Sequence, residues 1–168
     1  EHVPDAWRNA SMVHLGPLDQ EIEEGIFHCF NDQVLIGVTP QGFLRRWDEK
    51  GQVSFVEWNP PEEVLRRINV LILSEQDVPD PDGLVRAWGR MIDTIVVTRA
   101  ERGATVYHSG EPCNYPARPA QQVDPTGAGD TFCSGIDLLD FSPDEKPDVR
   151  GFSRWERACR TIERLPMV

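Results

Sequence analysis

Val70-Leu71-Ile72-Leu73 and Thr94-Ile95-Val96-Val97-Thr98, with a stretch from Pro81 to Met91 between them that reads as a helix, decide the fold of this chain. Each run is apolar with almost no polar interruption, the pattern of a strand buried on both faces. Two such strands joined through a helix, with no tight turn, imply a right-handed crossover and therefore parallel pairing.

Upstream the pattern repeats. Met12-Val13-His14-Leu15-Gly16, closed by Pro17, and Val34-Leu35-Ile36-Gly37-Val38-Thr39 give two more buried strands. Asp19 to Phe30 places Ile22, Ile26, Phe27 and Phe30 at helical spacing behind an Asp19 cap. Gln52 to Trp58 alternates as a partly exposed strand does, and Pro60 to Ile68 reads as a helix with prolines in its first turn. Four apolar strands with helices in three of the gaps predict an α/β fold with a parallel sheet covered on both faces. Downstream of Thr98 the pattern changes: Gly103 to His108 and Cys113 to Ala117, joined by Ser109 to Pro112, predict an antiparallel hairpin at the sheet edge, where Pro116 is tolerated.

Composition bounds the function. A chain of 168 residues suits one domain, and 39% hydrophobic residues can supply a core. The 28 acidic residues outnumber the 17 basic ones, and the net charge of −11 repels a phosphate backbone. Arg45-Arg46 and Arg66-Arg67 are isolated pairs, so no nucleic acid is expected as a partner. No apolar run approaches the roughly 20 residues that span a bilayer, and Glu1-His2-Val3-Pro4-Asp5 has neither the basic end nor the apolar core of a signal peptide. Cys29, Cys113, Cys133 and Cys159 form no CxxC pair and read as free thiols, not as a zinc site. A soluble cytoplasmic protein, with no membrane partner, is the expectation.

Chemistry concentrates in Val123-Asp124-Pro125-Thr126-Gly127-Ala128-Gly129-Asp130-Thr131-Phe132-Cys133-Ser134-Gly135-Ile136. Small residues from Gly127 to Gly129 let a turn gather several backbone N–H groups, and a helix opening there adds partial positive charge. Such a turn suits an anion. Taken alone, the same residues also read as a plain loop into a helix with Asp130 as a first-turn acid. Spacing excludes two better-known glycine loops. No lysine follows Gly127 or Gly129 as a triphosphate loop needs, and Phe132 stands where a dinucleotide fingerprint requires glycine or alanine.

The string Asp124 to Phe132, DPTGAGDTF, resembles the C-terminal signature of the ribokinase-like carbohydrate kinases, the phosphofructokinase B family. Two weaker matches precede it in the family's order. Ser74-Glu75-Gln76-Asp77 resembles an NxxE motif linked to magnesium, and Thr98-Arg99-Ala100-Glu101-Arg102-Gly103 resembles a TxGxxG nucleotide turn. Thr39 to Arg45 sits where such kinases carry an N-x-R type segment. The resemblance implies a three-layer α/β/α fold that transfers the γ-phosphoryl group of ATP to a hydroxyl of a sugar, nucleoside or polyol, with Mg2+ and often K+. It implies Asp130 as the base, the N–H groups of Gly127, Ala128 and Gly129 as the anion hole, and Asp124 beside the monovalent cation. Thr98 and Gly103 would lie against the nucleotide. Asp77 would meet magnesium through water.

Departures accompany the matches. Ser74 replaces asparagine, Asp77 replaces glutamate on a shorter arm, and Ala100 stands where the nucleotide turn usually has glycine. The family's sugar-binding half has no counterpart here. The chain is therefore expected to be the C-terminal, nucleotide-side portion of a kinase domain over residues 1–136, with a sheet edge left open to another copy. A divergent segment is expected over 137–168, where Pro143 and Pro147 stop a helix early. The rival expectation is a catalytically silent fold of the same kind that binds nucleotide or a protein partner.

Overall fold

A computed structural model describes residues 3–117 together with Gly129 and Cys133. In chain order its elements are β1 (Met12–Leu15), β2 (Leu35–Val38), β3 (Arg45–Trp47), β4 (Val53–Phe55), α1 (Glu62–Leu65), β5 (Val70–Ser74), α2 (Pro81–Trp88), β6 (Thr94–Thr98), β7 (Ala104–His108) and β8 (Glu111–Tyr115). Short 3-10 turns cover Glu24–His28, Pro40–Phe43 and Ala100–Arg102.

The main sheet has the order β1-β2-β5-β6-β7-β8. The pairs β1–β2, β2–β5 and β5–β6 are parallel, and β6–β7 and β7–β8 are antiparallel. The apolar runs produce this arrangement because β5 and β6 are buried on both faces: Leu71, Leu73, Ile95 and Val97 join one apolar cluster, while Val70, Ile72 and Val96 join the other. The first cluster also takes Phe27, Ile36, Val38, Val64, Ile68, Val85 and Ile92. Deleting a fully buried side chain from it, as in Leu71→Ala, costs about 2–5 kcal/mol. Trp58 anchors its rim, stacked on Phe43 at 4.5 Å, edge-on to Trp88 at 5.5 Å, and donating from Nε1 to Glu24 at 2.9 Å.

Helix α2 begins as its sequence predicts. Pro81 stands in the first turn, and the Asp80 side chain accepts from the Gly83 N–H at 2.8 Å. The helix expected over Asp19 to Phe30 does not form. A short 3-10 turn over Glu24–His28 replaces it, and Glu21, not Asp19, serves as the local acceptor, taking the N–H groups of Leu18 and Asp19 at 2.7 and 2.6 Å. Gly25 and the β-branched Ile22 and Ile26 lower helix propensity there, while burial of Phe27 and Phe30 is met without a regular helix.

The edge hairpin is tighter than its sequence suggests. Ser109 and Gly110 both have positive φ, 50° and 85°, and alone make the turn, so Glu111 and Pro112 fall within β8. Pro116 lies just beyond that edge strand. The strand expected over Gln52 to Trp58 is present as β4, with a partner, β3, that forms a separate two-stranded sheet. The segment 137–168, and the boundary placed before it, lie outside the described residues. Among the described residues no helix is long and apolar enough to cross a membrane.

Candidate functional site

In parallel sheets flanked by helices, ligands gather beyond the carboxyl ends of the strands. Here those ends lead into Thr39 after β2, Ser74 to Asp77 at and after the end of β5, and Thr98 to Gly103 at and after the end of β6. Ser74 pairs with Thr98, so two of the three segments lie side by side.

Thr98 closes β6. Its hydroxyl donates to the Leu73 carbonyl at 3.5 Å, and its carbonyl accepts the Glu75 N–H at 2.9 Å. The following turn closes on itself: the Arg99 N–H bonds the Gly103 carbonyl at 2.7 Å and the Gly103 N–H bonds the Ala100 carbonyl at 2.9 Å. Gly103 has φ 94°, which glycine alone adopts easily, and a Cβ there would collide with the Tyr115 carbonyl oxygen. Ala100 does adopt a left-handed φ of 50°, where the family pattern has glycine.

Asp77 is buried and internally bonded. Its Oδ1 accepts from Arg45 Nη2 at 2.8 Å and its Oδ2 accepts the Ser74 N–H at 2.8 Å. The Gln41 amide oxygen, oriented to satisfy its neighbours, accepts from both terminal nitrogens of Arg45 at 2.8 Å. Each Asp77 oxygen keeps a further lone pair, which suits the water-mediated contact expected of it. Among the described residues there is no group of three or more His, Cys, Asp or Glu that could hold a metal.

Glu75 and Arg99 were not legible as site residues from the motifs. Arg99 Nη1 lies 3.3 Å from Glu75, and Arg102 meets both oxygens of the same carboxylate. The hydrogen bond from Arg102 lowers the Glu75 carboxyl below its ordinary range, partial burial opposes this, and the charges of Arg102 and Arg99 add to the lowering. Arg99 also reaches Thr105 Oγ1 at 3.0 Å, Tyr107 Oη at 3.4 Å and Asp82 at 3.5 Å. Burial, then the charge of Asp82, raise the Tyr107 hydroxyl above its usual range.

Of the glycine turn, Gly129 is helical and exposed, and Cys133 is helical and buried against the second face of the sheet. The Thr39 hydroxyl lies 3.4 Å from the Cys133 sulfur and 2.9 Å from His14 Nε2. Cys133 is thereby tied to the residue that follows β2. Asp124, Gly127, Ala128 and Asp130 lie outside the described residues. The structure thus brings together Thr98, Gly103 and Asp77 at adjoining strand ends, with Arg45 and Glu75 as partners the motifs did not name.

Residues 70–137 match the family model described as pfkB family carbohydrate kinase. The chain is 30% identical over 142 residues to a cytidine kinase of Thermococcus kodakarensis, an alignment covering 80% of this chain and 49% of that kinase. It therefore spans about half the length of that relative. Its backbone superposes with a TM-score of 0.68 and 17% identity on a pyrophosphate-dependent kinase in the ribokinase family complexed with a pyrophosphate analog and myo-inositol, covering 97% of this chain and 62% of that one. On the ribokinase of Arabidopsis thaliana complexed with ribose and ATP the TM-score is 0.59 at 22% identity, covering 92% of this chain and 48% of that one. The fold is ribokinase-like, mostly parallel with antiparallel edge strands, and its sequence relatives are kinases. Residues 70–137 match the pfkB family carbohydrate kinases, and the chain that carries them has a ribokinase-like fold.

Proposed function

We propose that the protein transfers a phosphoryl group from ATP to a hydroxyl of a sugar, nucleoside or polyol in the cytoplasm, and that this chain supplies the donor side of the site. The observation that carries this is the string Asp124 to Phe132 inside a region that matches the kinase family.

In this reading Asp130 receives the proton of the attacking hydroxyl. A positioned base typically contributes about 10²–10⁴ in rate. The N–H groups of Gly127, Ala128 and Gly129 accept the charge that develops on the phosphoryl oxygens. Thr98 and Gly103 lie against the nucleotide, and Asp124 stands beside a K+ ion. Mg2+, when bound with the phosphates, supplies neutralisation of their charge, and Asp77, held by Arg45 and the Ser74 N–H, meets it through water.

The test is an assay of phosphoryl transfer with Mg2+ and either ATP or pyrophosphate, the second because one solved relative is named as pyrophosphate-dependent. Ribose, fructose, cytidine and myo-inositol serve as acceptors. Turnover with ATP that falls at least a hundredfold in Asp130→Asn, with ATP binding retained, is the expected result. Undiminished turnover in Asp130→Asn defeats the assignment of the base. ATP binding without transfer to any acceptor favours the catalytically silent fold, for which the engagement of Asp77 and Glu75 by arginines is the supporting observation.

A further inference from the structure

Glu75 is the first residue after β5, and two arginines of the neighbouring turn come back to it. Arg99 Nη1 is 3.3 Å from Oε2, and Arg102 Nη2 bonds both oxygens. The same residue holds the turn through its backbone, since its N–H donates to the Thr98 carbonyl at 2.9 Å. One acid thus fixes both ends of the segment that runs from Thr98 to Gly103.

That segment needs fixing. Ala100 sits at φ 50°, a conformation that its Cβ disfavours, and Gly103 at φ 94°. A disfavoured backbone shape persists only where its surroundings over-determine it. The hydrogen bonds inside the turn, from Arg99 to Gly103 and from Gly103 to Ala100, close the loop but leave its side chains to be held from outside. Arg99 has further partners in Thr105, Tyr107 and Asp82, whereas the Arg102 guanidinium, among the described residues, bonds the carboxylate of Glu75.

We propose that Glu75 is a positioning residue for the nucleotide turn: by gathering Arg99 and Arg102 on one carboxylate it keeps Ala100 left-handed, and so keeps Thr98 and Gly103 where a nucleotide phosphate or ribose meets them. This rests on the reading of Thr98 to Gly103 as a nucleotide turn. Glu75 touches no substrate in it; it acts through the turn. The signal in the sequence is the spacing Glu75…Arg99…Arg102 across two adjacent strand ends, which motif matching passes over because it looks only at Ser74 and Asp77.

The experiment compares the wild-type chain with Glu75→Gln and with Glu75→Gln/Ala100→Gly by two readouts, amide hydrogen exchange over residues 98–103 and the affinity for Mg2+·ATP. Loss of a charge-assisted acceptor shared by two arginines is expected to speed exchange in that turn, with β1 and β2 unchanged, and to weaken Mg2+·ATP about tenfold. Ala100→Gly, which removes the Cβ penalty, is expected to recover most of that affinity. Exchange over 98–103 that stays at the wild-type rate in Glu75→Gln overturns the proposal, as does faster exchange spread evenly over the sheet, which marks a general loss of stability. If the wild-type chain does not bind Mg2+·ATP, the nucleotide reading fails, and the exchange readout still decides whether Glu75 positions the turn. Affinity lost in Glu75→Gln but not recovered by Ala100→Gly also counts against it, because the left-handed residue is then not what Glu75 supports.

Discussion

The hydroxyl of Thr39 sits 3.4 Å from the sulfur of Cys133. Thr39 follows β2 and Cys133 is helical, so this contact joins two parts of the chain that are far apart in sequence. Thr39→Val keeps the volume and removes the hydroxyl from both Cys133 and His14. A stability loss of about 0.5–1.5 kcal/mol is expected, read from the denaturant midpoint at constant slope. An unmoved midpoint would show that the contact contributes nothing to the fold.

Gly103→Ala places a Cβ against the Tyr115 carbonyl and the Ala117 nitrogen at a φ of 94°. Strain and overpacking together are expected to cost roughly 2–5 kcal/mol. Thermal melting checks this, and a melting temperature within a degree of wild type would mean that the turn accommodates a side chain.

Arg45→Leu leaves the buried Asp77 carboxylate without its cation. Breaking a fully buried pair costs about 3–5 kcal/mol. The Arg45 side chain is 33% exposed, so solvent screening reduces the expected loss to roughly 1–3 kcal/mol. Asp77→Asn added to Arg45→Leu should recover part of it. A double-mutant cycle on urea midpoints measures the coupling, and a coupling energy near zero would mean that the pair is incidental.

The Glu75 carboxyl is lowered from its ordinary value of 4.5, chiefly by the hydrogen bond from Arg102. A carboxyl lowered in the folded state stabilises the fold above its unfolded value and loses that contribution as pH falls through the folded one. Stability is therefore expected to drop as pH decreases from about 4.5, and Glu75→Gln should flatten that part of the profile. Identical acid profiles for the two proteins would remove Glu75 from the account of acid sensitivity.

Ser109 and Gly110 form a two-residue turn with positive φ at both positions. Asparagine tolerates that region better than serine, so Ser109→Asn is expected to raise stability by about 0.5 kcal/mol. A lower melting temperature would contradict the turn geometry.

How far the sequence carried the fold depended on which residues decided each element. β5 and β6 were legible because their apolar runs have no other stable use than a strand buried on both faces. Helix α2 was legible as the stretch from Pro81 between two strands, while the Asp80 cap that starts it emerged only with the structure. The segment 19–30 misled because its apolar spacing is compatible with a helix, while Gly25 and the capture of two N–H groups by Glu21 favour a tighter turn. β3 escaped notice because Arg45 to Trp47 is a three-residue strand whose pairing depends on β4. At the candidate site, Thr98 and Gly103 were singled out by motif. Arg45 and Glu75 could not be paired from sequence, because their partners lie in turns that follow other strands, Asp77 after β5 and Arg99 and Arg102 after β6.

The strand order also bears on how the chain assembles. β6, β7 and β8 all fall within residues 94–115, whereas β2 meets β5 only across residues 39–69. Closing a short loop costs less entropy than closing a long one, so the antiparallel end should nucleate and the parallel end should be added strand by strand. In pulsed exchange the amides of β7 are then expected to be protected before those of β1. By the same order, β1 is the strand from which the native sheet should first fray.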